Sequence, residues 1–408
     1  MKVNIQKISK ILIITTMLMQ FILSYFVSIK ALKLLIYEKI FIIWGIFLII
    51  PIIYAFIKKL IKFDKSDIFI LIIFIGLILS YIFSVDRDVS LYGKLGRYEG
   101  VLIIIYYYVL YYLSRLIKDK KQIITLFIIF GLIEIFHGYI TVGIFNKAPL
   151  DAAKGIFGNQ NFYSTFMTME FSLVLIIYLF KNIKQTIPLI LLFSIGIMIG
   201  NSMSGILSCI IIFIISFILG IKRENKQEFI IRYLISLIII FVALTIVTTT
   251  TNVNIVKEVG STASDTSTVI KEKQIPNSYG TNRFYIWKNT IKKIPNYLLT
   301  GSGVDTFNLV FDNKLKIDDG DYHAVVDKAH CEPLQILITE GILSLLGYLG
   351  LLIYILKINI KNNDIAFIIL FVVLAYFIQS LFNIRITRIA PYYFIFLGLI
   401  NSKKVIYD

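Results

Sequence analysis

The sequence is poor in cysteine, histidine and charged residues, and each scarcity excludes a class of protein. Its two cysteines in 408 residues, Cys209 and Cys331, imply no disulfide framework. Its three histidines lie far apart and lack the ligand spacing of a metal site, so no metal is expected. No other cofactor is expected either. Charged residues make up 16% of the chain and hydrophobic residues 58%. Soluble domains rarely exceed about half apolar, so an ordinary soluble domain is excluded.

Long apolar runs fill the chain and raise its mean hydropathy to +0.82. A helix of about 20 apolar residues crosses a bilayer, and the alternating pattern of a β-barrel strand is not visible in these runs. The sequence therefore predicts an all-α polytopic membrane protein with about twelve transmembrane helices. The predicted spans are 9–28, 40–57, 67–84, 100–117, 123–145, 162–180, 187–203, 205–221, 229–249, 334–356, 365–383 and 390–401.

The formal charge of +16 is attributed to membrane topology rather than to nucleic acid. Lys and Arg cluster in short segments between apolar runs, as cytoplasmic orientation signals do, and no nucleic-acid-binding motif is found. With the N-terminus inside, every inner loop is basic, and an even span count returns Lys403 and Lys404 to the inside. The last span is short, so eleven spans remain an alternative. The first run lacks a small-x-small cleavage site, which favours a retained helix over a signal peptide.

The largest polar segment, residues 250–333, falls on the outer face between the ninth and tenth spans. Loops of this size in a compact protein usually carry function. The expected organisation is a single membrane domain, with spans one to nine in 1–249, the large extracytoplasmic loop in 250–333 and the last three spans in 334–408.

Two local structures are predicted in the second half of this loop. An amphipathic helix begins near Arg283 and ends before Pro295, and its positions i, i+3 and i+7 hold Phe284, Trp287 and Ile291. Further on, Gly301-Ser-Gly lacks the GK[ST] ending of a nucleotide P-loop. It is interpreted as a tight turn that places Asp305 and Phe307.

Two arginines in outer loops are candidates for binding an anion. Arg97 lies in Gly93-Lys-Leu-Gly-Arg-Tyr-Glu-Gly, where glycines let the backbone approach a ligand, and Arg283 opens the predicted amphipathic helix. A guanidinium stays charged and matches phosphate oxygens with a planar fork of donors. The alternative is that each arginine snorkels to lipid head groups, which is the favoured interpretation for Lys94.

His330 is the most informative single residue. It lies one turn before a predicted membrane helix whose N-terminus favours anions, and a neutral imidazole there accepts a proton from a hydroxyl. The alternative is a histidine that caps the helix or meets head groups, and the two arginine loops on the same face favour the catalytic interpretation. Cys331 does not face His330 on a helix, which disfavours a Cys–His nucleophile.

The other polar candidates have structural interpretations. His323 lies in an acidic run and is interpreted as part of a solvated turn. His137 shares a helix face with Glu134, either as a functional pair or as a structural hydrogen bond. Glu170 and Glu340 lie within spans and should face the protein interior, with Glu340 as a helix–helix hydrogen-bond partner rather than a catalyst.

Several of these pieces follow one another in a definite order over about 280–385. They are Arg283 with Trp287, Pro295, Gly301-Ser-Gly-Val-Asp-Thr-Phe, Ala329-His330, Leu334-Gln-Ile-Leu with Glu340-Gly341, and Gln379-Ser-Leu-Phe-Asn-Ile. This order resembles the O-antigen ligase and O-antigen polymerase superfamily of bacterial envelope proteins. Gly158-Asn-Gln-Asn-Phe is similar to a family motif at the start of an earlier span. No single piece is specific, but their order and spacing together are fairly specific.

The resemblance implies about twelve helices with one large extracytoplasmic loop between helices nine and ten. It also implies transfer of a glycan from an undecaprenyl-diphosphate carrier to an acceptor hydroxyl, without nucleotide sugar or metal. The family's catalytic histidine falls on His330 and its diphosphate-binding arginine on Arg283, while Arg97 is a less secure match to a further arginine. Cys331 stands where the family commonly has Asn, which puts in doubt a hydrogen bond beside the catalytic position.

The expected catalytic residues are therefore His330 and Arg283. The residues expected to bind substrate lie in the same outer loops and helix starts, and they are Arg97, Trp287, Asn159, Asn161, Gly303 and Glu332. The expected partners are an undecaprenyl-diphosphate-linked oligosaccharide, membrane lipids and, as a candidate, a chain-length regulator. No nucleic acid is expected.

The favoured function is that of a glycosyltransferase that polymerises capsular, O-antigen or wall polysaccharide repeat units at the outer face of a bacterial cytoplasmic membrane. The Ile-, Lys- and Asn-rich composition is typical of an AT-rich genome and favours polymerisation. A ligase that moves the polymer to a lipid, protein or wall acceptor is the close alternative. A lipid-linked glycan flippase or transporter, or a structural partner of an envelope synthase, belongs to a different class. Transporters often show two related halves, whereas this chain places its polar residues in one asymmetric loop.

Overall fold

The computed structural model describes residues 4–144, 147–255, 259–260, 280, 282–311, 326–362 and 364–402, and within them the chain contains helices but no β-strand. The helices are α1 Ile5–Ser28, α2 Leu34–Ile57, α3 Lys65–Ile82, α4 Arg87–Tyr92, α5 Val101–Arg115, α6 Lys121–Val142, α7 Gln160–Lys181, α8 Ile187–Ile199, α9 Met203–Arg223, α10 Lys226–Thr250, α11 Arg283–Tyr297, α12 Phe307–Val310, α13 Glu332–Asn359, α14 Ile365–Ser380 and α15 Ala390–Ile400. The predictions for His323 and its acidic run, and for Lys403 and Lys404, lie outside the described residues.

The fold is that of a multi-pass membrane protein. Within the described residues, 8 helices are long and apolar enough to cross a membrane, namely α1, α2, α3, α6, α7, α9, α10 and α13. Shorter apolar helices, α5, α14, α15 and the stretch Lys184–Ile199 that contains α8, coincide with the remaining predicted spans. The apolar runs form helices because a backbone in hydrocarbon must satisfy its own hydrogen bonds.

Peripheral and central helices differ in what they expose. On α2, Ile46 is 61% exposed and Ile50 is 64% exposed, as expected of side chains that face lipid. In α7, by contrast, 94% of the residues in its most apolar stretch are buried. This central helix packs against α8, α9 and α14, while α13 packs along α3 and α15 along α5. The predicted inward orientation of Glu170 on α7 and of Glu340 on α13 is confirmed, since both side chains are buried.

Contacts between helix ends sort the connections into two groups. At one end, the loop after α14 contacts the loop between α4 and α5 through Arg385 and Glu99, and the loop after α6 through Arg388 and Ile156. At the other end, α1 meets the turn before α6 through Lys10 and Asp119. We call the first end the outer end and the second the inner end, following the predicted orientation of the chain.

Helix α13 is broken near its first third, and an outer loop fills the break. Gly341 has φ +82° and ψ 175°, which interrupts the helical hydrogen bonds. The amides of Ser302 and Gly303 donate to the carbonyls of Ile338 and Thr339 at 3.0 Å each. The amide of Ile342 donates to the carbonyl of Leu298 at 2.8 Å, and the Ser80 hydroxyl of α3 donates to Thr339 at 2.7 Å. The loop thereby satisfies backbone groups that a broken helix in a membrane leaves open.

The predicted amphipathic helix is present as α11, but its predicted end was wrong. It continues through Pro295 to Tyr297. Pro295 lies in the last turn, where the loss of one backbone donor affects few remaining hydrogen bonds. Ile286 and Thr290 are buried against the protein, whereas Ile291 is 57% exposed.

Candidate active site

The segment that carries His330 is held from both sides just before α13 begins. The amide of Ala329 donates to the side-chain oxygen of Gln335 at 2.7 Å. The carbonyl of Ala329 accepts a hydrogen bond from the Trp287 indole of α11 at 3.0 Å. Trp287 also lies 6.4 Å from the ring of Phe382, which begins the loop after α14. The predicted substrate-binding residue Trp287 therefore connects α11, the His330 segment and the loop after α14.

The backbone around the candidate site is locally strained. His330 itself adopts φ +51°, in the left-handed region that residues with a Cβ rarely occupy. Three further left-handed residues lie at the site, namely Tyr98 beside Arg97, Asn282 beside Arg283, and Asp305. Such conformations cost of order 1–3 kcal/mol each and persist where the surrounding structure holds them. Four of the eight non-glycine residues with positive φ in the described parts of the chain thus lie at or beside predicted site residues.

Three predicted site residues act on one another electrostatically. Burial and then the nearby Arg283 guanidinium lower the pKa of His330 to about 4, Asp327 opposes this shift, and Arg97 adds to it. The imidazole is therefore neutral at physiological pH and has a nitrogen lone pair available to accept a proton. Arg283 and Arg97 thus lie close enough to His330 to affect its pKa, and the chemical roles of the three residues stay predictions.

Arg97 is paired with an acidic residue from the His330 segment. Its Nε donates to Asp327 Oδ2 at 2.5 Å. Burial raises the pKa of Asp327, but the hydrogen bond and charge of Arg97 outweigh burial and hold that pKa below its usual range. The Arg97 loop is thereby tied to the segment that carries His330, three residues after Asp327.

Arg388 is a further cation on the same side, and sequence reasoning missed it. Its Nη1 donates to the carbonyl of Ile156 at 2.8 Å. Burial lowers the pKa of Arg388, Tyr37 and Glu38 oppose that shift, and Arg97 lowers the pKa further. Gly158 has φ +71°, and a Cβ there would lie 3.5 Å from Arg388 Nη1. The Gly158-Asn-Gln-Asn-Phe motif thus begins directly beside this guanidinium.

The two asparagines of that motif have local structural partners. Asn159 caps α7, where its side chain accepts a hydrogen bond from the amide of Asn161 at 2.8 Å. The side-chain oxygen of Asn161 accepts a hydrogen bond from the Ser202 hydroxyl at 2.7 Å, which joins the starts of α7 and α9. Their predicted contact with substrate stays a prediction, and the structure adds a capping role for Asn159.

A buried network of charged side chains lies next to these cations. The Nζ of Lys328 is 3.2 Å from Glu99 Oε2 and 2.6 Å from Asp305 Oδ1. Arg385 contacts three carboxylates, namely Glu99 at 3.3 Å, Glu332 at 3.7 Å and Glu340 at 2.9 Å. The predicted turn at Gly301-Ser-Gly does place Asp305, since Asp305 Oδ2 accepts hydrogen bonds from the amides of Lys94 and Glu99.

The cations of the network remain charged in spite of burial. Burial alone would lower the pKa of Lys328, but Asp305 and Glu99 raise it above its usual value. Burial likewise opposes the charge of Arg385, and the carboxylates of Glu340, Glu99 and Glu332 raise its pKa well above the usual range. Buried charges are tolerated when they are paired in this way.

Two of the predicted substrate-binding residues lie inside the protein instead of facing an open site. The amide of Gly303 donates to Thr339, and its carbonyl accepts from the amide and hydroxyl of Thr306, so both backbone groups are engaged internally. Glu332 is 2% exposed and faces Arg385. We interpret both positions as parts of the scaffold, because neither offers an accessible polar group to a ligand.

The missed residues have a weak signal in the sequence. Arg385 and Arg388 stand three residues apart in the short connection between two apolar spans, and charged residues there are costly unless they have a partner. Glu99 and Lys328 each lie two residues from a predicted site residue, Arg97 and His330 respectively. Their pairing across more than two hundred positions of the chain has no local pattern that could predict it.

The assembled site can combine a neutral base with several cations. Among the described residues, no group of three or more His, Cys, Asp or Glu side chains could hold a metal ion. His330 offers a proton acceptor, Arg283 and Arg97 lie close enough to lower its pKa, and Arg97 in turn affects Arg388. Such a set suits a reaction in which a hydroxyl loses a proton while an anionic group departs.

Comparisons with known proteins agree with the resemblance seen in the sequence. The comparison with curated proteins returned no match. The family model described as O-Antigen ligase matches residues 188–349. This segment extends from α8 to the second part of α13 and includes Arg283, Trp287 and His330. The family is one of glycosyl-transferring enzymes. This match over residues 188–349 supports the resemblance of the chain to the O-antigen ligase and polymerase family.

Proposed function

We propose that this protein transfers a glycan from an undecaprenyl-diphosphate carrier to an acceptor hydroxyl, and that it polymerises polysaccharide repeat units. The observation that carries the proposal is the position of His330, whose segment is held before α13 through Ala329 by Gln335 and Trp287, within electrostatic reach of Arg283 and Arg97. A base that stays unprotonated next to fixed cations suits the removal of a hydroxyl proton near a diphosphate. The family match supports the reaction class.

In the proposed reaction, His330 takes the proton of the acceptor hydroxyl as its oxygen attacks the anomeric carbon of the donor glycan. A new carbon–oxygen bond forms, and the bond from the anomeric carbon to the diphosphate oxygen breaks. The electron pair leaves with undecaprenyl diphosphate, whose developing negative charge meets Arg283 and Arg97. Stabilisation of charge as it develops is often the largest catalytic contribution, and the loss of one donor costs about 10²–10³ in rate.

The proposal includes the topology of the chain. All twelve apolar helices would cross a bacterial cytoplasmic membrane, with His330 on the extracytoplasmic face and residues 250–333 as the large outer loop. The sorting of helix connections into two ends supports this arrangement. Glu99 precedes α5 and Asp119 follows it, so the Arg385–Glu99 and Lys10–Asp119 contacts lie at opposite ends of that helix. The basic residues near the inner end, such as Lys58 and Lys118, follow the orientation rule for cytoplasmic loops.

The proposal is tested in cells that make the native polymer. The chromosomal copy is replaced by His330→Ala or Arg283→Ala, membrane levels of the protein are matched, and the glycan is resolved on a gel. We expect the long-chain ladder to disappear and single lipid-linked units to accumulate on the outer side. Lys288→Ala is the matched control, since Lys288 lies on α11 near Arg283 and has no assigned part in the reaction.

Other outcomes separate the alternatives. Long chains that remain on the lipid carrier in the variants would assign the transfer to a ligase with a separate acceptor. A normal ladder in both variants at matched protein levels would contradict the catalytic proposal. In that case a transporter or a structural partner of an envelope synthase would account for the chain better.

A further inference from the structure

Glu99 occupies a central place in the buried network at the outer end. Its side chain is 3% exposed. One carboxylate oxygen lies 3.2 Å from Lys328 Nζ, and the other lies 3.3 Å from Arg385 Nε and accepts a hydrogen bond from the Tyr107 hydroxyl at 3.1 Å. The amide of Glu99 donates to Asp305. One carboxylate therefore joins three loops that are far apart in the sequence.

Each of these loops also carries one group of the candidate site. Glu99 is two residues after Arg97, Lys328 is two residues before His330, and Arg385 is three residues before Arg388. The loops have a second connection in the pair between Arg97 and Asp327. A shift at Glu99 is therefore transmitted over two or three residues of backbone to the base and to two of the cations.

We propose that Glu99 is a positioning residue for the transfer reaction: together with Lys328 and Arg385 it holds His330, Arg97 and Arg388 at their working separations. This inference rests on the proposed function, because it assigns the purpose of the network through His330. Glu99 touches none of the reacting groups in this assignment and acts only through the three loops.

The backbone conformation explains why these loops need the restraint that Glu99, Lys328 and Arg385 provide. Tyr98, His330 and Asp305 lie in the loops that the network joins, and they adopt left-handed conformations with φ of +54°, +51° and +60°. Without external restraint, residues with a Cβ relax toward other conformations. Misplacement of a reacting group by about 1 Å can cost around 10²-fold in rate. Ion pairs that are buried on both sides resist such movement, because opening one leaves an uncompensated charge away from water.

The charge inventory identifies the network as more than a set of isolated pairs. It contains four carboxylates, those of Glu99, Asp305, Glu332 and Glu340, and two cations, Lys328 and Arg385. Each cation is shared between carboxylates, and Glu99 is the one carboxylate among the four that contacts both cations. Neutralising Glu99 therefore disconnects the Lys328 side of the network from the Arg385 side.

The test uses the full-length protein in membranes and Glu99→Gln, which keeps the shape of the side chain and removes its charge. The donor is the undecaprenyl-diphosphate-linked oligosaccharide extracted from cells that make the native polymer. We expect kcat to fall by roughly 10–100-fold while KM for the donor changes by less than about 2-fold, since positioning is lost and donor contacts remain. We also expect the acidic limb of the pH–rate profile to move to higher pH, because a loosened His330 becomes more solvated and lies farther from Arg283.

Asp67→Asn is the matched control. Asp67 is a buried carboxylate that pairs with a buried arginine, Arg115, at the inner end of the helices. Asp67→Asn should lower the stability of the protein without moving the pH–rate profile of the folded molecules. Glu99→Gln with an unchanged kcat, or with a lower kcat and the same acidic limb as Asp67→Asn, would overturn the positioning role.

A second variant covers the case in which Glu99→Gln does not accumulate in membranes. Arg385→Lys keeps the charge but loses the planar fork that contacts three carboxylates. We expect a smaller fall in kcat, with the same direction of shift in the acidic limb, and an unshifted limb would overturn the inference. His330→Ala measured in parallel separates the two proposals. If His330→Ala is inactive and Glu99→Gln behaves as wild type, the positioning role fails and the proposed function stands.

Discussion

The two ends of the helices each hold buried charged side chains, but the clusters differ in how they are built. At the inner end, Arg115 pairs with Asp67 and Asp64, which cap the start of α3. Its guanidinium lies over the rings of Tyr111 and Tyr112 at 5.6 Å and 5.4 Å and is fully buried. At the outer end, Glu99, Lys328 and Arg385 join loops instead of helix starts.

The backbones around the clusters differ as well. The outer cluster is surrounded by left-handed residues such as His330 and Asp305, whereas Asp67 and Arg115 lie within regular helices. Regular helices keep their geometry through their own hydrogen bonds, so the inner cluster need only fasten their ends. Strained loops depend on outside contacts, so the outer cluster determines where their side chains lie. The same chemistry of buried ion pairs therefore serves stability at one end and geometry at the other.

The largest expected effect tests the inner end. Asp67→Asn leaves Arg115 buried with a weakened partner, and breaking a buried ion pair of this kind costs about 3–5 kcal/mol of stability. We expect a marked fall in the thermal unfolding temperature of the purified protein in detergent. The transfer rate per folded molecule should remain that of wild type. A loss of rate at unchanged stability would contradict the division of roles between the ends.

Arg283→Ala tests the transfer rate instead of the stability. Removal of one charge-stabilising donor is expected to lower the transfer rate per folded molecule by about 10²–10³. Arg283→Lys should recover only part of the rate, since an ammonium lacks the planar fork. Rate assays with matched amounts of folded protein check this, and full activity of Arg283→Lys would argue against bidentate binding of the diphosphate.

The filled break of α13 gives a smaller effect with a close control. In Gly301→Ala the new methyl group would collide with the carbonyl of Thr339 at the break, while in Gly96→Ala it would meet nothing within 4 Å. Both glycines have positive φ, +74° and +86°, so the conformational strain is similar and the steric term differs. We expect Gly301→Ala to cost about 1–3 kcal/mol more in stability than Gly96→Ala. Equal unfolding temperatures would show that the loop does not depend on the break.

The smallest expected effect is a shift in pH dependence, which in Arg97→Gln accompanies the loss of rate expected from removing a charge-stabilising donor. His330 works unprotonated, and Arg97 lowers its pKa, so Arg97→Gln raises that pKa from about 4 toward the usual value for histidine. Activity is lost as pH falls through this pKa, and the acidic limb of the pH–rate profile should therefore begin at higher pH in Arg97→Gln. Asp67→Asn should leave the limb in place. A limb that moves to lower pH would contradict the position of Arg97 beside His330.

Much of the fold was predictable because each membrane helix is determined by its own stretch of apolar residues. The predicted span 365–383 corresponds to Ile365–Ser380, and the predicted span 229–249 to Lys226–Thr250. An apolar run determines a helix without reference to the rest of the chain. The break at Gly341 could not be predicted in this way, since it depends on a loop that inserts from about forty residues upstream.

The candidate site was predictable only where single residues carried the signal. His330 and Arg283 stand out because each lies at or just before the start of a predicted helix in the outer loop. Few residues in that loop have side chains suited to accept a proton or to bind an anion. Glu99, Lys328 and Arg385 gave no such signal, because a carboxylate near an arginine is common in any loop. Their importance lies in pairings between distant segments, which the three-dimensional arrangement reveals.

The most direct measurement of the central claim is transfer by purified protein in lipid vesicles. The donor is the undecaprenyl-diphosphate-linked oligosaccharide, and two products are followed together, the lengthened glycan and released undecaprenyl diphosphate. The account predicts that wild type releases one carrier diphosphate for each linkage formed and that His330→Ala, with unchanged unfolding temperature, slows both by about 10²–10⁴. Wild-type rates of both products in His330→Ala would contradict the account.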